Sequence, residues 1–337
     1  MNIVFFGSFQ HYSTIIVQSL HNHPDIQIAG VVTTPPMPAG RKKELTPTHT
    51  HTWAKQQNIP IFTPNNLDTK SLDTFTDNRK LKIENSNRSI DLFIVAGYGK
   101  ILPDNWLNHP KHGSLNIHFS LLPDYRGANP AEWALLMGEK RTGISLITMS
   151  SKLDAGNIIA QKDIKISDTD TRESLYHKLY TLAGKYSPEM ILKYFHWLQK
   201  KDANCQTSLT PRKQEKPTTP YARLLKRDDG YLPWTTIQTA ISANMLSNSD
   251  FDTKLFHKIL TYLKNSDQSD YIQLINRSSR ALHGYPGLWT TIPTLKGNKR
   301  LKIHSTSIYK NKLILEKVQL EGQQPSTFNQ IKNSIQS

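Results

Sequence analysis

Ser114-Leu-Asn-Ile-His-Phe-Ser-Leu-Leu-Pro-Asp-Tyr-Arg-Gly-Ala-Asn-Pro130 is the stretch whose reading decides the fold. It opens as a short strand (Ser114 to His118), crosses a loop marked by Pro123 and Gly127, and enters a helix pattern at Pro130 that runs to Met137. The same alternation extends outward. Upstream, the apolar run Ile3-Val-Phe-Phe6 ends at Gly7, a helix pattern covers 14–21, and strands are expected over 26–33, 59–62 and 91–96. Downstream, strands are expected over 143–149 and 158–166 and a helix over 171–182. Repeated strand–helix alternation predicts an α/β fold with a doubly wound, mostly parallel sheet. Ligands of such sheets bind at the carboxyl ends of the strands.

The opening stretch also carries chemistry. Asn116 and His118 are two residues apart, so an extended backbone points them to one face. Asp154, in Leu153-Asp-Ala-Gly156, follows a second strand. A hydrogen-bond donor, a general acid/base and a charge partner suit acyl transfer through a tetrahedral carbonyl adduct. The competing reading is two polar groups satisfied near the end of a buried strand. His109, His112 and His118 lie close together, but Pro110 and Gly113 interrupt any shared helical face, so no metal is expected. Gly7-Ser-Phe9 is no G-x-G-x-x-G, and a dinucleotide cofactor is not expected.

Composition sets the frame. The chain has 337 residues, enough for two ordinary domains. It has no apolar run long enough to span a bilayer. Its start lacks a basic leader and reads as a strand, and its one cysteine, Cys205, excludes an internal disulfide. The expectation is a cytoplasmic protein. Lys and Arg total 42 against 27 Asp and Glu, a net charge of +15. Residues 211–337 hold 19 of the cations and only 9 of the anions. Such an excess fits a polyanionic partner and fits a well-solvated surface. The Gly- and Pro-bearing run Pro38-Ala-Gly-Arg-Lys-Lys43 follows a strand end, where Arg41, Lys42 and Lys43 suit phosphates or a plain exposed loop.

The expected organisation is a catalytic domain over 1–203, a Thr-, Pro-, Lys- and Gln-rich linker over 204–221, and a smaller, mostly β domain over 222–337. Strand-like runs at 301–305 and 312–319 support the last, and 242–271 reads as a polar, helix-like insertion.

On these residues the chain resembles the methionyl-tRNA formyltransferases, a folate-dependent formyltransferase family. The resemblance covers almost the full length. Its densest parts are the opening stretch with Leu153-Asp-Ala-Gly156, Ala96-Gly-Tyr-Gly-Lys-Ile-Leu-Pro103, and the loop around Arg41. In the carboxyl half, Asp228-Asp-Gly-Tyr-Leu-Pro-Trp234, the segment 275–289 and Val318-Gln-Leu-Glu-Gly322 extend it. The resemblance implies a Rossmann-like formyltransferase domain followed by an OB-like β-barrel. It implies transfer of the formyl group of 10-formyltetrahydrofolate to the amino group of initiator methionyl-tRNA, for translation initiation, by a monomer without metal or membrane partner. Asn116, His118 and Asp154 become the catalytic set. Ser120, Leu121, Leu122 and Pro123 become the folate-contacting loop, and Gly97, Tyr98, Gly99, Ile101 and Leu102 line the pterin pocket. Arg41, Lys42 and Lys43 approach the tRNA, which the basic carboxyl domain also holds. Phe119 stands where relatives usually have a small residue or proline, implying a narrower pocket rim. Alternative readings are a formyltransferase acting on a small amine such as an amino-sugar nucleotide, a folate hydrolase or dehydrogenase module, and a non-catalytic RNA-binding protein on the same scaffold.

Overall fold

A computed structural model of the chain describes residues 1–40, 42–76, 81, 89–200, 210–242, 244–251, 253–263, 268–295, 297–332 and 335. By their contacts they fall into two compact units. The first is Met1–Ala128, Gly143–Ile164 and Tyr176–Thr218; the second is Asn129–Thr142, Lys165–Leu175 and Thr219–Ser337.

The amino-terminal half of the chain supplies β1 (Asn2–Phe6), α1 (Tyr12–His21), β2 (Gln27–Val32), the short strands β3 (Met37–Ala39) and β4 (Glu44–Thr46), α2 (His49–Gln56), β5 (Ile61–Phe62) and α3 (Thr69–Thr76). It continues with β6 (Leu92–Val95), α4 (Asp104–Leu107), β7 (Ser114–His118), α5 (Pro130–Met137), β8 (Arg141–Thr148), β9 (Ile158–Lys165) and α6 (Arg172–Lys200). Seven of the strands form one sheet in the order β5-β2-β1-β6-β7-β8-β9. β1 pairs in parallel with β2 and β6, β2 with β5, and β6 with β7, while β7 and β8 are antiparallel. The chain winds outward from β1 through β2 to β5, then returns to the other side through β6 and β7. The reversal falls between β1 and β6, where a doubly wound sheet opens its crevice. β1 and β6 are buried at every residue, which is why their sequences are continuous apolar runs without alternation. Phe6, Phe75, Phe93 and the fully buried Trp106 pack into the core on this sheet.

α5 begins with Pro130 at its first turn and ends at Gly138, whose φ of 78° is the left-handed conformation that glycine adopts freely. α6 runs 29 residues, far beyond the expected stop at 182. Pro188 lies inside it. Pro188 has no N–H, so the Gly184 carbonyl four residues earlier loses its helical donor. The Ser19 hydroxyl of α1 donates to that carbonyl instead. Ala183, Ser187, Ile191, Tyr194 and Phe195 remain buried, so packing carries the helix through the break.

The carboxyl half supplies α7 (Trp234–Ser242), α8 (Lys254–Tyr262), α9 (Gln268–Ala281), β10 (Leu288–Thr294), β11 (Gly297–Tyr309), β12 (Lys312–Leu320), β13 (Ser326–Thr327) and α10 (Phe328–Ile331). The four strands form an antiparallel sheet in chain order, and β10 alternates buried and half-buried residues with period two. The other edge of β10 takes isolated bridges from Tyr231 and Ile335. The expected insertion 242–271 holds α8, whose Leu255, Phe256, Ile259 and Leu260 are buried; residues 243, 252 and 264–267 lie outside the described residues.

Just before α7, Arg223 grips Asp229 through two hydrogen bonds of 2.7 and 2.6 Å, and the Lys226 amide donates to the same carboxylate at 2.6 Å. Burial alone would raise the Asp229 pKa, but these donors outweigh it and hold the carboxyl below its usual range. A depressed folded-state pKa stabilises the fold above the unfolded value of about 3.9 and loses that contribution as pH falls through the folded value. Asp229→Asn should therefore melt below the wild type by a constant margin from pH 7 to about 5, and the margin should close below about pH 4 in thermal scans.

Candidate active site

β7 overhangs β6. Val95, the last residue of β6, pairs with Asn116, so the strand reaches His118 two residues further. Asn116 is half-buried and His118 is buried on the same side of the strand. Asp154 comes from the β8–β9 connection. Its φ of 51° places a non-glycine residue in the left-handed region, a conformation that needs outside support.

That backbone aims the carboxylate at three groups. Asn116 Nδ2 donates to Asp154 Oδ1 at 3.2 Å, and His118 Nδ1 lies 3.6 Å from the same oxygen. The Gly127 amide donates to Oδ2 at 3.0 Å. The His118 and Asp154 side chains are only 6% and 7% exposed, so little solvent screens their pairing. His118 Nε2 lies 3.0 Å from the Tyr125 carbonyl. A carbonyl only accepts, so Nε2 carries a hydrogen, and Nδ1 is the ring nitrogen that faces Asp154. Asn116 Nδ2 has a second hydrogen not engaged by Asp154.

The loop after β7 is built on side-chain hydrogen bonds. Ser120 donates to the Asp124 carbonyl at 2.6 Å, and Ser145 donates to the Ser120 carbonyl at 2.7 Å. The Leu122 amide donates to Ser145, and Gln161 donates to the Leu122 carbonyl at 2.9 Å. Leu122 packs with Ile147 and Ile158, while Leu121 and Pro123 stay half-exposed. In the loop after β6, Gly97 and Gly99 take positive φ, and a side chain at Gly97 would collide with the Tyr180 hydroxyl at 2.5 Å. Tyr98 and Leu102 are core residues, so only their main-chain groups can face a ligand, whereas Ile101 is 73% exposed. The Tyr98 hydroxyl is buried and has no hydrogen-bond partner among the described residues, and burial pushes its pKa up to about 12.

The structure thus brings Asn116, His118 and Asp154 together; their i, i+2 spacing puts the first two on one face of β7. Lys42 and Lys43 do not join them. They are exposed at the turn of the β3–β4 hairpin, which follows β2, three strand steps from β7, roughly 14 Å at ordinary spacing. Arg41 lies outside the described residues. Phe119 corrects an expectation. It is 7% exposed and stacks on Tyr180 at 4.0 Å, so it fills the aromatic layer with Phe9 and Tyr180 rather than narrowing a rim. His109 stacks on Phe93 and His112 meets the edge of Phe195; burial lowers the pKa of both. Among the described residues no group of three or more His, Cys, Asp or Glu could hold a metal ion, and no helix is long and apolar enough to cross a membrane.

One contributor escapes sequence reasoning. The described part of the expected linker, from 210, lies along this site: Arg212 bridges Ile158, Thr218 binds Asp124, and Gln214 binds both Asp154 and Arg126. Nothing in its polar composition marks it out.

An amide, an imidazole and a carboxylate converge on β7 of a doubly wound sheet, an arrangement that suits acyl-group chemistry. The formyl transferase family profile matches residues 1–191, more than half of the chain, and the chain belongs to that family. Among its relatives is a protein from Ehrlichia ruminantium (strain Welgevonden) named methionyl-tRNA formyltransferase, 38% identical over 191 residues. The match covers 57% of this chain and 60% of that protein's own length. A Listeria monocytogenes protein of the same name is 34% identical over 233 residues, 69% of this chain and 68% of that one. Two solved structures show the fold alone. A methionyl-tRNA formyltransferase from Clostridium thermocellum gives a TM-score of 0.52 at 16% identity over 95% of this chain and 98% of that one. A sugar N-formyltransferase from Shewanella gives 0.55 at 15% identity over 92% and 99%.

Proposed function

We propose that the protein is a methionyl-tRNA formyltransferase: it transfers the formyl group of 10-formyltetrahydrofolate to the α-amine of initiator methionyl-tRNA, in the cytoplasm. The observation that carries the chemistry is the single Asp154 oxygen facing both Asn116 Nδ2 and His118 Nδ1. Two relatives bearing that name at 34–38% identity support the acceptor. So do the cations of the exposed β3–β4 hairpin and the concentration of positive charge in residues 211–337.

The residues present fit a flat folate donor. Open space lies beside Gly99, and the exposed Gly99 and Ile101 with the half-exposed Leu121 and Pro123 are available to hold it. When bound, the donor supplies an activated formyl carbon. The uncharged acceptor amine attacks that carbon, a C–N bond forms, and negative charge develops on the formyl oxygen. The second Nδ2 hydrogen of Asn116 donates to that oxygen, already oriented by the bond its twin makes to Asp154. Asp154 stabilises a proton on His118 Nδ1 beside the reaction, and Tyr125 fixes the ring. The amine's proton passes to this pair, the pair returns a proton to the leaving nitrogen, and the bond to the donor breaks. The β3–β4 hairpin presents Lys42 and Lys43 to phosphates of the acceptor RNA.

Two measurements test this. Asn116→Ala should lower kcat for tRNA formylation by about 10²–10³-fold with donor and tRNA binding little changed; turnover near that of the wild type would remove Asn116 from the reaction. Replacing Lys42 and Lys43 by Ala should weaken tRNA binding and flatten its slope against log salt by about 1.5. An unchanged slope would place the hairpin away from phosphate.

A further inference from the structure

Gln214 lies 60 positions beyond Asp154 and outside the residues that the family profile matches. It is half-buried, and all three of its strong contacts meet the site. Its amide nitrogen donates to the main-chain carbonyls of Asp154 and Gly156, at 2.8 and 2.7 Å. Its carbonyl accepts from Arg126 Nε at 2.8 Å. The orientation of the amide is fixed by its neighbours. Two carbonyls can only accept and a guanidinium can only donate, so a flipped amide would lose all three bonds.

These bonds fall where the site needs support. Asp154 holds a positive φ without being glycine, and its carboxylate reaches Asn116, His118 and Gly127 only from that backbone. Gly156 fixes the far end of the same turn: a Cβ there would sit 1.7 Å from the Thr148 carbonyl oxygen, so the turn is pressed against β8. Gln214 bridges the two carbonyls that bracket Ala155 and thereby holds the turn closed. Its third bond reaches Arg126, between Tyr125, which fixes the His118 ring, and Gly127, which binds Asp154 Oδ2. One amide therefore ties together the two loops whose separation sets the His118–Asp154 distance. The strap that carries it is anchored on both sides. Arg212 makes a two-way backbone bridge with Ile158, and Thr218 binds Asp124 through its amide and hydroxyl at 2.8 and 3.1 Å.

We propose that Gln214 is a positioning residue of the active site: it sets the Asp154 turn against the Tyr125–Gly127 loop, and through Asp154 it aligns Asn116 and His118 for formyl transfer. The proposal rests on the formyl-transfer reading for its kinetic consequence and on the hydrogen bonds alone for its structural one. Two variants separate its parts. Gln214→Met keeps the shape and loses donors and acceptor. Gln214→Glu keeps an acceptor for Arg126 but turns carboxylate oxygens toward the two carbonyls, so it cannot hold the turn.

The experiment measures kcat, KM for 10-formyltetrahydrofolate and for methionyl-tRNA, Tm, and hydrogen exchange at the Gly127 amide by NMR, for the wild type and both variants. Misplacement of a catalytic group by about 1 Å costs on the order of 10²-fold. Both variants should lose roughly 10–100-fold in kcat with both KM values near those of the wild type. Their Gly127 amide should exchange faster, at a Tm within a few degrees of the wild type. Full turnover with a protected Gly127 amide in Gln214→Glu overturns the proposal. So does a rise in KM with kcat unchanged, which would make Gln214 a substrate contact, and so does a fall in kcat that follows the loss of folded protein. A wild type that transfers no formyl group would defeat the functional reading alone, because Gly127 exchange still decides whether Gln214 holds the turn.

Discussion

The carboxylate of Asp154 is the point on which the site depends. One oxygen is shared between Asn116 and His118, and the other is held by the Gly127 amide. Each partner comes from a different constraint: a strand that fixes two side chains on one face, and a loop that brings back a main-chain donor. A carboxylate buried to this degree would be costly unless its lone pairs were met. Here they are met by Asn116, His118 and Gly127, the first two of which we propose take part in the chemistry. The same contacts that make the buried charge tolerable also orient the amide and the imidazole, so stability and preorganisation come from one set of bonds.

The sheet explains why such a cluster can form at this place. β7 projects past β6 by two residues, so Asn116 and His118 stand at the rim of a buried parallel core rather than inside it. β8 runs antiparallel to β7 with Thr148 opposite Leu115, so the β8–β9 connection begins beside the start of β7, and the Asp154 carboxylate reaches Asn116 and His118 from there. The winding reverses between β1 and β6, and Gly97 follows β6 directly, where its missing side chain leaves room for the Tyr180 hydroxyl. Strand β7 carries Asn116 and His118, the β8–β9 connection carries Asp154, and bonds from Ser120, Ser145 and Gln161 lace the loop after β7. The division suits a reaction in which donors must already point at charge that develops only in the transition state.

Much of this could be read before any coordinates. Strands such as Leu92–Val95 announce themselves because a strand covered on both faces needs an unbroken apolar run, and the i, i+2 spacing of Asn116 and His118 survives into the structure. What stayed hidden depended on bonds between distant residues. Helix α6 passes through Pro188 because Ser19, in another helix, supplies the missing donor. Phe119 looked like a rim residue until Tyr180 accounted for it. The segment from 210 to 218 reads as a polar linker since it contributes hydrogen bonds and almost no apolar surface, and periodicity reports only the latter. The left-handed backbone of Asp154 carries only a weak sequence mark, because glycine is the usual sign of it and aspartate an occasional one.

The central claim is that the Asp154 carboxylate organises formyl transfer and does not merely fill a buried position. The most direct test is the single-turnover rate of tRNA formylation by Asp154→Asn beside the wild type, with donor affinity measured on the same samples. Asparagine keeps the shape but cannot stabilise a protonated His118 or accept from Asn116 and Gly127 together. The account predicts a rate lower by on the order of 10³–10⁴-fold at unchanged donor affinity. A variant that formylates methionyl-tRNA within a few-fold of the wild-type rate would contradict it.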